Sequence, residues 1–424
     1  MTVHAPMSVS TAPGTRRDTA LVTGLDVRAA NGNGTEEFWQ GLLEGRGGIG
    51  PITRFDASGY PSTLAGEIAH DPGEDLPGRL LPQTDRVTQL ALVSAAEVLR
   101  DSGLDPAEAP EYGIGVVTAN AAGGFEFGQR ELENLWAKGP LYVSAYQSFA
   151  WFYAVNTGQI SIRHGLRGPS GVLVTGQSGG LDAVGHARRM LRKGTPAVLT
   201  GAMESALCPW GHVAELTGGR LSTADSAEDA CLPFGERAAG HVVAEGGALL
   251  MLEDGAAAHA RGGVRPYGEV AGYAACFDPP PGSGRTAGPA RAARAALADA
   301  GIEPADIGAV FAEGAAVPEL DAQEAAAITE VFGPDAVPVT AITSRTGRPG
   351  AGASALDLAA ALLAVRDGLI PPTADVGRLP AAYRIDLVTG RPRPMAGGAA
   401  LVLARGHGGF NSAVVVRRCE RTPR

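Results

Sequence analysis

The chain has 424 residues, with a hydrophobic fraction of 45%, a charged fraction of 19% and a formal net charge of −10. This length allows a sizeable buried core, and the composition is typical of globular proteins. The acidic balance argues against nucleic acid or an anionic membrane as the main partner, and no stretch approaches the ~20 apolar residues that a membrane span requires.

The four cysteines are scattered and show neither CxxC spacing nor a disulfide-dense pattern, which indicates a reducing cytoplasm. Residues 1–18 are rich in Ser, Thr, Pro and Ala but lack a continuous apolar core. They predict a flexible N-terminal tail and not a signal peptide. The sequence contains no metal-ligand cluster, P-loop or dinucleotide fingerprint, so we expect no metal site.

Ordered structure is predicted to begin near Thr19, and strand and helix patterns alternate from there on. Thr35 is the predicted N-cap of a first helix, because two glutamates and an apolar face follow it. Helical spacing predicts a second helix over 85–101. Apolar runs predict strands at 20–24, 113–118, 172–174, 197–200 and 248–252.

A second half is predicted to start past a loop at 256–263. Its Pro- and Gly-rich stretch 274–289 predicts a surface crossover. The elements predicted after it are a strand at 309–312, helices at 318–332 and 353–366, and strands at 399–403 and 413–416. Two rounds of alternation predict a layered α/β protein of two related halves, residues 19–262 and 263–424, after the tail at 1–18.

The surroundings of Gln177 predict a buried strand, a tight turn and a helix start. An apolar run at 172–174 supplies the strand, and Ser178, Gly179 and Gly180 allow the sharp turn. In the β-ketoacyl synthases, a similar strand–turn–helix carries the nucleophilic cysteine, whose thiol pKa is lowered at the helix N-terminus. A glutamine amide cannot ionise and forms no thioester.

Nearly the whole chain, from about 19 to 417, resembles these thiolase-fold condensing enzymes. The resemblance rests on several motifs in the family's order, at 41–46, 50–56, 232–237, 244–248 and 409–412. It implies an α/β fold of the thiolase type, with α-β-α-β-α layers made of two duplicated halves.

Active members of that family use a cysteine, two histidines and a supporting lysine. By resemblance, Gln177 stands in the cysteine position, Glu313 and Arg348 in the two histidine positions, and Thr343 in the lysine position. A carboxylate about 4 Å from a developing oxyanion would repel it by about 4 kcal/mol at an effective dielectric of roughly 20. Arg348 stays protonated at neutral pH and cannot act as a base. We predict that Glu313 and Arg348 pair across the former catalytic pocket.

A glutamine in the nucleophile position resembles the chain-length factors, the ketosynthase beta subunits of bacterial type II aromatic polyketide synthases. Similar blocks lie at 148–165, 182–189 and 311–321. The resemblance implies a heterodimer with an active ketosynthase alpha subunit, which elongates a malonyl-derived poly-β-ketone on an acyl carrier protein. This chain would complete the tunnel and set the product length. It would bind no cofactor itself, because phosphopantetheine arrives on the carrier protein.

The segment 123–132 is similar to the family's gating element. Phe125, Gly128 and Leu132 fall at i, i+3 and i+7, so on a helix they share one face and would line one tunnel wall. Family members with bulkier side chains at the last two positions close the tunnel early. We therefore expect a product longer than an octaketide, of decaketide length or beyond.

An aromatic run favours a subunit interface, since aromatic residues are enriched there, although simple core packing is the alternative. Its members are Phe149, Trp151, Phe152 and Tyr153.

Several alternatives remain open at this level. Gln177 either helps malonyl decarboxylation as an oxyanion donor or only fills the pocket, and we favour the second role. The chain alone is either not an enzyme, which we favour, or an active 3-oxoacyl-carrier-protein synthase or malonyl decarboxylase. An active synthase would need another nucleophile, such as Cys208 with His212, although a buried free cysteine is the commoner case. A non-catalytic scaffold is a further alternative.

Overall fold

The computed structural model describes residues 19–280 and 282–419, so the predicted tail at 1–18 lies outside the described residues. The strands of this part of the chain are β1 (Ala20–Ala29), β2 (Gly32–Asn33), β3 (Ile49–Pro51), β4 (Leu64–Gly66), β5 (Ile114–Ala119), β6 (Ser170–Leu173), β7 (Ala197–Glu204), β8 (Val243–Ala244), β9 (Gly246–Asp254), β10 (Gly268–Phe277), β11 (Ile307–Phe311), β12 (Pro338–Thr340), β13 (Leu369–Ile370), β14 (Asp386–Leu387), β15 (Arg393–Pro394), β16 (Ala399–Arg405) and β17 (Phe410–Arg417).

The helices are α1 (Thr35–Leu43), α2 (Arg86–Ser102), α3 (Phe125–Lys138), α4 (Gln147–Ala150), α5 (Val155–His164), α6 (Gly179–Arg192), α7 (Pro209–Leu216), α8 (Ala227–Ala230), α9 (Gly255–Arg261), α10 (Gly288–Ala300), α11 (Pro318–Phe332), α12 (Thr343–Thr346) and α13 (Gly352–Asp367).

The two halves of the chain repeat one strand order. In the first half the order is β6-β5-β7-β9-β1, and in the second it is β12-β11-β16-β17-β10. Counted within its half, each sheet therefore reads 3-2-4-5-1, with the second strand parallel to the third and fourth and the fifth antiparallel to both its neighbours. Antiparallel pairing of β1 with β10 joins the halves. The predicted fold of two duplicated halves is confirmed.

Helices α6 and α13 pack against each other between the two sheets and form the central layer. Alternate residues of β9 show the layering, because successive strand side chains point to opposite faces. Leu250 and Leu252 share a core with the central helices, whereas Leu249 and Met251 share one with α2. Helix α10 covers the outer face of the second sheet. Helix α6 follows the third strand of its half, β6, after a short turn, whereas α12 lies between β12 and α13 in the second half. The segments that lead into the two central helices bear the site.

Three local predictions were wrong. The segment 256–263, predicted as a loop, contains α9, whose first turn is capped because the Asp254 carboxylate accepts the N–H groups of Ala256 and Ala257 at 3.0 Å. Gly34, and not Thr35, is the N-cap of α1, since the Thr35 hydroxyl donates to the Leu25 carbonyl instead.

The third correction concerns the predicted surface crossover at 274–289. Its first four residues belong to β10, which pairs with β17 as far as Phe277, and its last two begin α10. The division of the chain at 262/263 stays a prediction.

Candidate functional site

The predicted strand–turn–helix around Gln177 is present, but the prediction of a buried strand was wrong, because β6 is an edge strand whose four residues are exposed or half-buried. Strand β6 ends at Leu173, a short turn over 176–178 follows, and α6 begins at Gly179. Gly176 has a φ of +57°, a left-handed conformation that favours glycine, and a Cβ there would lie 3.1 Å from the backbone nitrogen of His407. The turn is therefore sharp and packs closely on the segment 406–409.

The Gln177 side chain is half-buried and is held by that segment. Its amide oxygen accepts the backbone N–H of His407 at 3.2 Å. The two residues line a cavity of about 280 Å³, whose other walls are Glu215, Gly218, Arg220, His241, Leu320, Arg348, Arg405, Gly406, Gly408 and Gly409. The amide thus links the turn to the loop in the place where the family's thiol would stand.

Glu313 and Arg348 form a buried ion pair, as predicted. Glu313 lies just after β11, and Arg348 lies between α12 and α13. Their side chains are in contact and are 5% and 6% exposed. Burial lowers the pKa of the Arg348 guanidinium to about 10, so it is still charged at neutral pH. Because the pair neutralises the carboxylate, no unpaired negative charge is left at this position, and Arg348 offers no base at neutral pH.

Neighbouring side chains fix this pair in place. The Glu324 carboxylate of α11 accepts the backbone N–H groups of Glu313 and Gly314 at 2.9 and 3.0 Å. The hydroxyl of Thr343, in the lysine position, lies 2.9 Å from the Gly314 carbonyl oxygen and 3.2 Å from that of Glu313. Thr343 therefore supports the backbone of the Glu313 turn and carries no charge into the pocket.

Helix α3 begins at Phe125, and the first two predicted gate residues face one aromatic side chain. The ring of Phe125 stacks on Trp210 with centroids 4.7 Å apart and an interplanar angle of 8°. A Cβ added to Gly128 would lie 3.0 Å from Cζ3 of the same indole. Leu132 is 37% exposed, farther along the helix.

Trp210 was missed by the sequence analysis. It lies at the start of α7, in the segment whose Cys208 and His212 suggested a nucleophile and a base. An aromatic residue directly after a proline at a helix start was the available signal, but the sequence gives no sign that it meets α3.

The predicted interface residues lie at the surface. Trp151, Phe152 and Tyr153 are 47%, 38% and 37% exposed, and Phe149 is half-buried. Ile162 of α5, at 78%, adds further exposed apolar surface. The alternative of simple core packing does not fit these three aromatic side chains.

The family models for β-ketoacyl synthases match most of the chain. The model of the N-terminal domain matches residues 18–258, and that of the C-terminal domain matches residues 267–377. The chain belongs to the β-ketoacyl synthase family. Within the part of this ketosynthase that the structure describes, no helix is long and apolar enough to cross a membrane. No group of three potential metal ligands occurs among the same residues.

Similar proteins refine the place of this chain in the family. It is 58% identical to a Streptomyces coelicolor protein whose name gives it as β-ketoacyl synthase 2 of the actinorhodin polyketide, over 95% of this chain and 99% of that one. It is 57% identical to the tetracenomycin polyketide synthase ketoacyl synthase beta subunit of Streptomyces glaucescens, over 94% and 98%. A solved ishigamide ketosynthase/chain length factor matches with a TM-score of 0.86 and 27% identity, over 95% and 100%. The resemblance to the beta subunits is thereby confirmed.

The surroundings of Cys208 argue against its use as a replacement nucleophile. Burial raises the pKa of its thiol to about 11, and its sulfur accepts the backbone N–H of Gly211 at 3.4 Å. His212 is buried against Phe55 and Tyr60, and its Nε2 lies 2.9 Å from the Ser62 carbonyl oxygen. The structure therefore favours structural roles for both residues.

Alkylation by iodoacetamide tests this reading of Cys208. A thiol with a raised pKa is protonated at neutral pH, so the rate should be negligible at pH 7.5 and should rise about tenfold per pH unit towards pH 11. Peptide mass spectrometry measures the rate for each cysteine. Rapid labelling of Cys208 at pH 7.5, or loss of polyketide in a Cys208→Ser variant, would contradict the structural role.

Proposed function

We propose that this chain is the non-condensing subunit of a minimal type II polyketide synthase. It pairs with an active ketosynthase alpha subunit, completes the elongation tunnel, and sets the length of a poly-β-ketone beyond an octaketide. One observation carries the proposal. The chain keeps the ketosynthase fold, while Gln177 and the buried Glu313–Arg348 pair occupy the positions of the nucleophile and the two histidines. The chain alone is therefore not a condensing enzyme.

The chemistry of these groups excludes covalent condensation by this chain. The reaction needs a thiolate to carry the acyl chain and neutral imidazoles to stabilise the enolate and oxyanion. The Gln177 amide carries no ionisable proton, and its oxygen is engaged by the N–H of His407. This contact anchors the side chain through its acceptor and leaves the amide N–H groups free, so it is compatible with the filler role and with a role in malonyl decarboxylation.

A second part of the proposal is that α3 and α7 together form the tunnel wall. Gly128 supplies no side chain at the point where α3 meets Trp210, and the ring of Phe125 stacks on the same indole. A Cβ on residue 128 would lie only 3.0 Å from that indole, so any larger residue would press on Trp210. The absence of a side chain at this contact supports a product longer than an octaketide.

The open edge of the sheet supports pairing with a subunit of the same fold. Strand β6 ends the strand order, so one of its edges carries backbone N–H and C=O groups with no neighbouring strand among residues 19–280 and 282–419. Val174 follows it and is 46% exposed, and Phe152 and Ile162 add apolar surface. Edge pairing together with apolar burial is a recurring way to join two sheets.

The carrier protein and cofactor follow from the same assignment. One solved relative, with a TM-score of 0.85 and 26% identity, is titled as a type II polyketide synthase acyl-carrier protein in complex with its ketosynthase bound to the hexaketide. We propose that this chain likewise works with an acyl carrier protein, whose phosphopantetheine brings the growing chain, and binds no cofactor of its own. Its proposed location is the cytoplasm.

Native mass spectrometry of the tagged chain tests the assignment. A one-to-one complex with a ketosynthase of similar size that retains cysteine and both histidines is the expected result. A lone monomer or homodimer would favour a scaffold or an unrecognised catalyst instead.

Placing a charge in the aromatic surface should weaken the complex. Aromatic side chains near the centre of interfaces commonly contribute 2 kcal/mol or more, so Phe152→Asp should weaken binding by at least about 30-fold. Tyr112→Asp is the matched control. Tyr112 is 67% exposed and lies before the N-terminal end of β5, whereas Val174 follows the C-terminal end of the parallel strand β6. Equal binding by both variants, measured by titration, would place the interface elsewhere.

A further inference from the structure

The backbone of Trp210 is hydrogen-bonded to a residue of α3, the helix that carries the predicted gate residues. The side-chain oxygen of Gln129 on α3 accepts the backbone N–H of Trp210 at 2.8 Å. Gln129 directly follows Gly128, whose added Cβ would lie 3.0 Å from the indole of Trp210. Helix α3 thus contacts Trp210 in three ways: Gly128 lies against its indole without a side chain, the ring of Phe125 stacks on it, and Gln129 accepts its backbone N–H.

The N–H of Trp210 needs an acceptor outside its own helix. Helix α7 begins at Pro209, so Trp210 is its second residue, and the first four N–H groups of a helix have no partner within it. The sulfur of the N-cap Cys208 accepts the next N–H, that of Gly211, at 3.4 Å. Gln129 therefore completes the cap of α7 from a different helix.

From this geometry we propose that Gln129 is a positioning residue for the tunnel: it fixes the backbone of Trp210 and thereby the position of its indole over Gly128. The proposal rests on the proposed function of α3 as the length-determining wall. Trp210 is 42% exposed although its ring contacts Phe125 and lies against Gly128, so these contacts cover only part of the indole. Because the ring already lies against Gly128, we expect release of its backbone to let it move outward and to open space there.

The second hydrogen bond of Gln129 provides a matched control. Its side-chain nitrogen donates to the Glu133 carboxylate at 2.8 Å, one turn farther along α3. Gln129→Met keeps the length and helix propensity of the side chain but removes the oxygen acceptor. Gln129→Glu, made together with Glu133→Gln so that two carboxylates do not face each other, keeps an oxygen acceptor for Trp210, and Glu133→Ala removes only the second hydrogen bond.

Hydrogen exchange of the intact heterodimer gives a readout that does not depend on product length. We expect amide exchange in peptides covering 209–216 to rise about fivefold in Gln129→Met, the factor corresponding to one neutral hydrogen bond, and to stay at the wild-type rate in the Gln129→Glu/Glu133→Gln variant and in Glu133→Ala. Unchanged exchange in Gln129→Met, or an equal rise in Glu133→Ala, would overturn the proposal.

Product analysis then tests the effect on the tunnel. In the reconstituted synthase, Gln129→Met should raise the ratio of longer products to the main product about fivefold, and the Gln129→Glu/Glu133→Gln variant should restore it. If exchange rises but the products stay the same while Gly128→Phe shortens them, the proposed function stands and the positioning role is wrong. If Gly128→Phe also has no effect, the wall itself has been misassigned.

Discussion

Replacing Gly128 with phenylalanine should shorten the main polyketide by at least one two-carbon unit. The Cβ alone would lie 3.0 Å from Cζ3 of Trp210 and 3.7 Å from the Cβ of Trp151, so the new phenyl ring must displace the indole or extend past it. Overfilling a packed contact costs typically 1–3 kcal/mol, which corresponds to about a 5- to 150-fold loss of the longest product. Gly128→Thr should produce a smaller shift in the same direction.

Chromatography and mass spectrometry of products from the reconstituted synthase would measure this shift. Ala137→Phe is the control, because Ala137 is an exposed residue of the same helix. Both variants must first be shown to form the heterodimer. An unchanged product length in an assembled Gly128→Phe complex would refute the gate.

Breaking the buried ion pair should be the most damaging change to stability. Arg348→Ala or Glu313→Ala leaves one buried charge without its partner and should lower the free energy of unfolding by about 3–5 kcal/mol. Replacing both with methionine should cost much less than either single change, because no charge is then left unpaired. Urea denaturation of the wild type, Arg348→Met, Glu313→Met and the double methionine variant gives the coupling energy.

The exposed ion pair of Arg237 with Asp229 provides the comparison. Its side chains are 63% and 50% exposed, so Arg237→Ala should cost no more than about 1 kcal/mol. If Arg348→Ala were as mild as Arg237→Ala, water would have to reach the former catalytic pocket and screen the remaining carboxylate.

Most of the fold was predictable because apolar periodicity and glycine turns are local signals. Helix α11 was predicted with the bounds Pro318–Phe332, and the strands later observed as β5, β7, β9, β16 and β17 were predicted within a few residues. The failures arose where another contact competed. The Thr35 hydroxyl donates to the Leu25 carbonyl and therefore does not cap α1. Residues 274–277 stay in the sheet because they pair with β17, despite the prolines and glycines that follow.

The candidate site was predictable to the extent that it is defined by motif positions. Glu313 and Arg348 are 35 residues apart in the chain, yet opposite charges at two family positions were enough to predict their contact. Nothing in the sequence relates Gln129 to Trp210, which lie 81 residues apart and meet only through the packing of α3 and α7. The supporting roles of Glu324 and Thr343 are likewise set by tertiary structure.

The strand order also governs how the chain can be made. Strand β1, buried at all ten positions, pairs with β9, which the ribosome produces roughly 200 residues later. At about 5–20 residues per second, β1 is without β9 for some 10–40 s, and its unpaired backbone N–H and C=O groups are then open to wrong pairing. Fragments that end before Gly246 should therefore aggregate, and slow synthesis should reduce the yield of folded chain.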